Sequence, residues 1–114
     1  VHENPYGYGR IIRNRKGVVV NIVEEKDATT DQKKLCEINA GVACFEIAPL
    51  LQGLSHLSQD NTAREYYLTD LVRIFCSLGH TVVATESVHP DETLGINSLE
   101  DLAWVEEKLT ESRV

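Results

Sequence analysis

"IIRNRKGVVVNIVEE", Ile11–Glu25, decides how the rest of this chain is read. Its two apolar runs flank "RNRKG" and read as two strands around a turn. In the second run Val18, Val20 and Ile22 share one face while Val19 and Val23 share the other, the period of two that a pleated strand imposes. Immediately upstream stands "NPYGYGR", Asn4–Arg10. A glycine-rich phosphate cradle normally follows a strand and opens a helix. Here almost no chain precedes the glycines and a hairpin follows. Gly7 and Gly9 either let a ligand approach the main chain or simply form a tight turn.

Downstream, in "KDATTDQKKL", Thr29 stands three residues before Gln32, the spacing of a capping box on a short helix. "EINAGVACFEI" alternates again, with Ile38, Ala40, Val42 and Cys44 on one face and Asn39, Gly41, Ala43 and Phe45 on the other. It predicts another strand. "EIAPLLQGLSHL" changes to helical period through Ile47, Leu50, Leu51, Leu54 and Leu57, with Pro49 tolerable in the first turn. The next helix turns Leu71, Val72, Phe75 and Leu78 inward and stops at Gly79, the expected C′ residue. "TVVATE" predicts a short buried strand. After the loop "SVHPDETLGIN", a final helix over 98–114 carries Leu99, Leu102, Val105 and Leu109 as its stripe. Together these elements predict one mixed α/β domain over residues 1–114.

At 114 residues and 42% hydrophobic content the chain suits a single domain with a modest core. Its net charge of −7 argues against a nucleic-acid partner, which needs clustered Lys and Arg. Basic residues do gather at Arg10, Arg13, Arg15 and Lys16, but a solvated hairpin tip accounts for them equally well. No apolar run is long enough to span a membrane, and the polar start "VHENP" is no signal peptide. Cys36, Cys44 and Cys76 are too few and too widely spaced for a disulfide framework or a zinc site. Cys44 and Cys76 read as buried, reduced thiols, and the cytoplasm is the default compartment.

Four stretches hold polar residues that strain a purely structural reading. The first is the opening glycine loop. The second is "VEEKD", where Glu24 could accept hydrogen bonds from sugar hydroxyls and Lys26 could meet a phosphate, or both could simply be solvated. The third is Asn39, an amide in an otherwise small and apolar run. It must satisfy neighbouring backbone or face a ligand, with Gly41 leaving space beside it. The fourth is "EYYLTD", Glu65–Asp70, whose two tyrosines point to opposite sides, and where Thr69 or Asp70 could cap the following helix. Asn97 in "LGIN" directly precedes a helix, and capping is its favoured local explanation.

Taken together and in this order, "NPYGYGRIIRN", "IVEEKDAT", "EINAGVACFE", "EYYLTDLV" and "LGIN" resemble the sugar-1-phosphate nucleotidyltransferases. The likeness is greatest to the second half of the bacterial N-acetylglucosamine-1-phosphate uridyltransferase domain. It implies part of a nucleotide-diphospho-sugar transferase fold, a Rossmann-like mixed sheet with flanking helices whose N-terminal nucleotide-binding half is absent. The family reaction joins a sugar 1-phosphate to UTP and releases pyrophosphate. By the same resemblance the Gly9 N–H would meet the sugar, Glu24 would accept from its hydroxyls, and Asn39 would contact it. Tyr67 and Thr69 would line the sugar-phosphate end of the pocket, and Asn97 would be one ligand of a catalytic Mg²⁺.

The chain departs from the pattern in lacking the "L-x-A-G-x-G-T-R-M" loop and the "G-D" aspartate. Tyr6 replaces a usually small residue, and Arg64 a usual glycine. A chain so composed is expected to be inactive alone and to bind no Mg²⁺ by itself. It is expected to bind a sugar nucleotide or sugar 1-phosphate, and to associate as a homodimer or with a complementing nucleotide-binding half. The alternative is a non-catalytic interaction or small-ligand module that keeps part of the fold.

Overall fold

The computed structural model describes residues 1, 3–89 and 93–111. The central hairpin forms where the alternation placed it, with β1 (Arg10–Arg13) antiparallel to β2 (Val19–Val23). Arg10 pairs with Val23, Ile11 with Ile22 and Ile12 with Asn21, and a bulge follows between Ile12 and Arg13. Asn14 shapes the tip: its side-chain oxygen accepts from the Lys16 and Val18 amides at 2.9 and 3.0 Å, and Gly17 takes a φ of 79°. Such side-chain acceptance, followed by a left-handed glycine, is a recurrent way to close a hairpin.

The short helix α1 (Thr30–Lys33) carries the predicted capping box between Thr29 and Gln32. α2 (Ile47–Leu54) and α3 (Asp70–Ser77) then pack together, and α3 lies against β2. The core of Val19, Leu71, Val72, Ile74 and Phe75 sits at this junction, flanked by Phe45, Leu50, Leu57 and Val82. α3 ends as predicted. Gly79 adopts a φ of 82°, its amide donates to the Cys76 carbonyl, and the His80 amide reaches the Phe75 carbonyl at 2.9 Å. This paired pattern satisfies carbonyls that the helix end would otherwise leave open.

Gly53 sets how closely α2 approaches α3. A Cβ there would lie 2.8 Å from both Leu71 Cδ2 and Phe75 Cε1. Alanine is the better helix former by about 1 kcal/mol, but overpacking of this kind costs roughly 1–3 kcal/mol. Gly53→Ala is therefore expected to lower the urea midpoint, and a raised midpoint would show that the two helices separate freely.

Three expectations fail. The mixed sheet does not form: the regular sheet among the described residues is the antiparallel hairpin alone. Only residues 37–39 follow the outer edge of β1, through Ile11 N–H to the Glu37 carbonyl, Asn39 N–H to the Gly9 carbonyl, and an Arg10–Ile38 bridge. Gly41 then turns left-handed at φ 79°, which ends the extended run and leaves Val42 89% exposed and Cys44 exposed rather than buried. "TVVATE" has a strand's sequence but no ladder partner among the described residues, so Val82 packs on the core while Val83 stands in solvent.

The final helix, α4 (Leu99–Glu111), forms but packs closely against none of the other described elements. Its Leu99 and Leu109 remain exposed. The predicted residues 112–114 of that helix, and 90–92 of the loop before it, lie outside the described residues.

Candidate functional site

The first loop is held from below by an arginine that the sequence placed with the solvated hairpin tip. Arg10 is 1% exposed. Its guanidinium donates to the carbonyls of Tyr8, Lys33 and Leu35, and one nitrogen lies 2.8 Å from Glu25 Oε2. That carboxylate oxygen makes no well-directed hydrogen bond, so the contact is an ion pair set by charge and distance. Arg13, further up the strand, pairs with Glu37 and holds its carboxyl below the usual carboxylate range. Pro5 opens a tight turn above this anchor, closed by Tyr8 N–H to the Pro5 carbonyl, with Gly7 at φ 84°. A left-handed third position of this kind calls for glycine.

Gly9 comes next and is buried, and its lack of a side chain has a definite neighbour. A Cβ would stand 3.1 Å from Ile22 Cγ2 and 3.4 and 3.5 Å from the two carboxylate oxygens of Glu24. Glu24 follows the end of β2, and its Oε1 accepts from Thr69 Oγ1 at 2.7 Å. Thr69 occupies the N-cap of α3 but makes no capping bond with its side chain. Its hydroxyl is committed to Glu24 instead. Gly9, Glu24 and Thr69 thus meet, and Asn39 joins them through its main chain, donating to the Gly9 carbonyl at 2.8 Å. The Asn39 side-chain oxygen accepts from the Gly41 amide at 3.2 Å, so the amide satisfies local backbone as the first of its two readings required.

Tyr67 belongs to an adjoining group. The paired tyrosines do diverge, Tyr66 being 64% exposed and Tyr67 half-buried. Tyr67 faces Asp27, and burial first, then the Asp27 charge, pushes its hydroxyl pKa up. Asp27 is held below the usual carboxylate range chiefly by Thr62, whose amide donates to it at 2.8 Å. Both line a polar cavity of about 220 Å³ with Asn21, Asn61, Asp70 and Arg73. Gly9, Glu24, Asn39 and Thr69 do not line it, although the Glu24 charge still acts on Tyr67. Lys26 is exposed beside this turn. Tyr6 points into solvent, and Arg64 takes a φ of 54°, a left-handed value that glycine reaches without strain.

Asn97 is exposed, and it is not the cap of α4. Ser98 Oγ accepts from the Asp101 amide at 3.1 Å, while Asp101 accepts from the Asn97 amide at 3.0 Å and is held below its usual range by that bond. The Asn97 side chain is therefore free of capping duty. Among the described residues no group of three or more His, Cys, Asp or Glu is arranged to hold a metal. The near-octahedral oxygen set of Mg²⁺ needs more ligands than one neutral amide.

Asp27 and Tyr8 escaped the sequence reading as site residues. The signal for Asp27 was its place three residues after Glu24, where its amide closes a turn on the Glu24 carbonyl at 3.0 Å. For Tyr8 it was the position between two glycines.

No protein-family profile matches the chain. Individual proteins do. The chain is 49% identical over 106 residues to the bifunctional protein GlmU of Clostridium novyi, which covers 93% of this chain. It is 47% identical over 104 residues to that of Methylococcus capsulatus and 44% identical over 104 residues to that of Halalkalibacterium halodurans, each covering 91% of this chain. In all three the chain spans only 23% of the relative's length.

Proposed function

This chain is homologous to one region of the bifunctional GlmU proteins, and from that premise we propose that it is the sugar-binding half of a UDP-N-acetylglucosamine pyrophosphorylase-like nucleotidyltransferase, inactive alone in the complete reaction. One observation carries the reading. The Glu24 carboxylate is fixed by Thr69 at 2.7 Å beside Gly9, whose missing side chain leaves room for it. An anchored carboxylate beside bare main chain suits a sugar, because its remaining lone pairs can accept from adjacent hydroxyls while a backbone N–H donates. Asn39 would add a donor from its side-chain nitrogen, and Tyr67 would bound the far end through Asp27.

Phosphoryl-type displacement depends on positioning and charge neutralisation. The residues here supply positioning only, and Asn97 would meet a ligand without holding a metal. Isothermal titration of the chain with UDP-N-acetylglucosamine is expected to show binding that Mg²⁺ does not tighten. Incubation with UTP, N-acetylglucosamine 1-phosphate and Mg²⁺ is expected to release no pyrophosphate. Turnover would overturn the inactivity, and absence of binding at millimolar ligand would overturn the sugar site.

A second reading, an interaction module, is favoured by the exposed apolar side chains of Val42, Ile47, Leu51 and Leu99, which are 65–89% exposed. Surface of this kind favours association, with a second copy or with a nucleotide-binding half. It becomes the leading reading if the titration is silent.

A further inference from the structure

The motifs "GYG" and "LGIN" lie more than eighty residues apart, and one side chain joins them. The Tyr8 hydroxyl accepts from the Gly95 amide at 2.9 Å and donates to the Gly95 carbonyl at 3.4 Å. The two bonds hold both ends of one residue's main chain. A Cβ on Gly95 would lie 3.4 Å from Tyr8 Cε1 and 3.7 Å from Asn97 Nδ2, so the ring, the glycine and the asparagine amide are packed together. Tyr8 is itself fixed from behind, because buried Arg10 donates to its carbonyl. With Ser98 and Asp101 capping α4, the Asn97 side chain makes no capping bond and no hydrogen bond among the described residues that would account for its placement beside this clasp.

We propose that Tyr8 is a positioning residue: its hydroxyl sets the 95–97 segment against the glycine loop, so that Asn97 meets the ligand held at Gly9 and Glu24. The inference rests on the sugar-nucleotide reading above, and it deepens that reading by giving the middle residue of "GYG" a role. Tyrosine suits the role because a phenol carries a donor and an acceptor on a rigid ring, and its removal as Tyr8→Phe leaves the packing in place.

The test compares wild type, Tyr8→Phe, Asn97→Ala and the double variant. Without ligand, Tyr8→Phe is expected to speed amide exchange at Gly95 by about tenfold and to shift the Asn97 side-chain amide resonance, with Asn21 in the hairpin unchanged. In titrations with UDP-N-acetylglucosamine, each single variant is expected to bind about tenfold more weakly. The double variant is expected to bind no more weakly than Asn97→Ala alone, since Tyr8 acts through Asn97. Additive losses are what a general structural defect would give, and they overturn the inference. Unchanged Gly95 exchange in Tyr8→Phe overturns it as well. If wild type binds no UDP-N-acetylglucosamine, the sugar reading falls by itself. The clasp is then decided by exchange and the Asn97 resonance, where a change in both supports it and no change in either overturns it.

Discussion

Replacing Arg10 by alanine is expected to destabilise the chain by up to about 3 kcal/mol, the low end of what breaking a buried ion pair costs. The low end applies because Glu25 is only partly buried and keeps Lys33 at 3.8 Å. Glu25 would be left with Lys33 as its cation, and the carbonyls of Tyr8, Lys33 and Leu35 would lose their donor. Against a total of roughly 5–15 kcal/mol for a domain of ordinary stability, this is a substantial fraction. Arg10→Lys is expected to recover little. A lysine brings one compact charge, whereas the planar guanidinium donates to three carbonyls in fixed directions and still lies 2.8 Å from the Glu25 carboxylate. Urea unfolding followed by circular dichroism measures both variants. A loss below about 1 kcal/mol for Arg10→Ala would mean that Glu25 escapes to solvent and that the loop is anchored elsewhere.

The largest effect on ligand binding is expected at Gly9. Gly9→Ala adds a methyl 3.1 Å from Ile22 Cγ2 and 3.4 Å from Glu24 Oε1, so Ile22 or the loop must give by a few tenths of an ångström while the methyl comes into contact with the carboxylate. It also brings a methyl against the carboxylate proposed to accept from the ligand. Loss of one charge-assisted hydrogen bond corresponds to about 10- to 100-fold in affinity for UDP-N-acetylglucosamine. The urea midpoint is expected to fall only slightly, because Ile22 Cγ2 has to give by no more than a few tenths of an ångström. Gly7→Ala is the informative control. Gly7 has φ 84° and open space around its Cβ position, so alanine there costs backbone strain of about 1 kcal/mol while leaving the Glu24 carboxylate in place. If Gly9→Ala binds as tightly as wild type, the loop is only a turn.

The local elements were legible because each is fixed by neighbours in sequence. Alternation over Ile11–Val23 gave the hairpin, Thr29 and Gln32 gave the capping box, and Gly79 gave the end of α3. Alternation failed at 37–47 and 81–86, where the pattern of a strand was present but its ladder was not. A strand is stabilised by hydrogen bonds to a partner strand, and the identity of that partner is written nowhere in its own residues. Gly41 shows the limit well. It does leave the open space read beside Asn39, and it is also the left-handed residue that ends the run.

The site divides in the same way. Sequence alone determined which residues carry polar chemistry, and their order supported the resemblance that the 44–49% identities then bore out. Only the tertiary structure decided which of them meet. It brought Thr69 to Glu24 across forty-five residues and took Thr69 away from its capping bond. It placed Tyr67 with Asp27 around a separate cavity, sank Arg10 beneath the loop, and fastened Tyr8 to Gly95. Each outcome depends on which donor finds which acceptor when several are within reach. That competition is settled by distance and burial in the folded chain, neither of which a linear pattern contains.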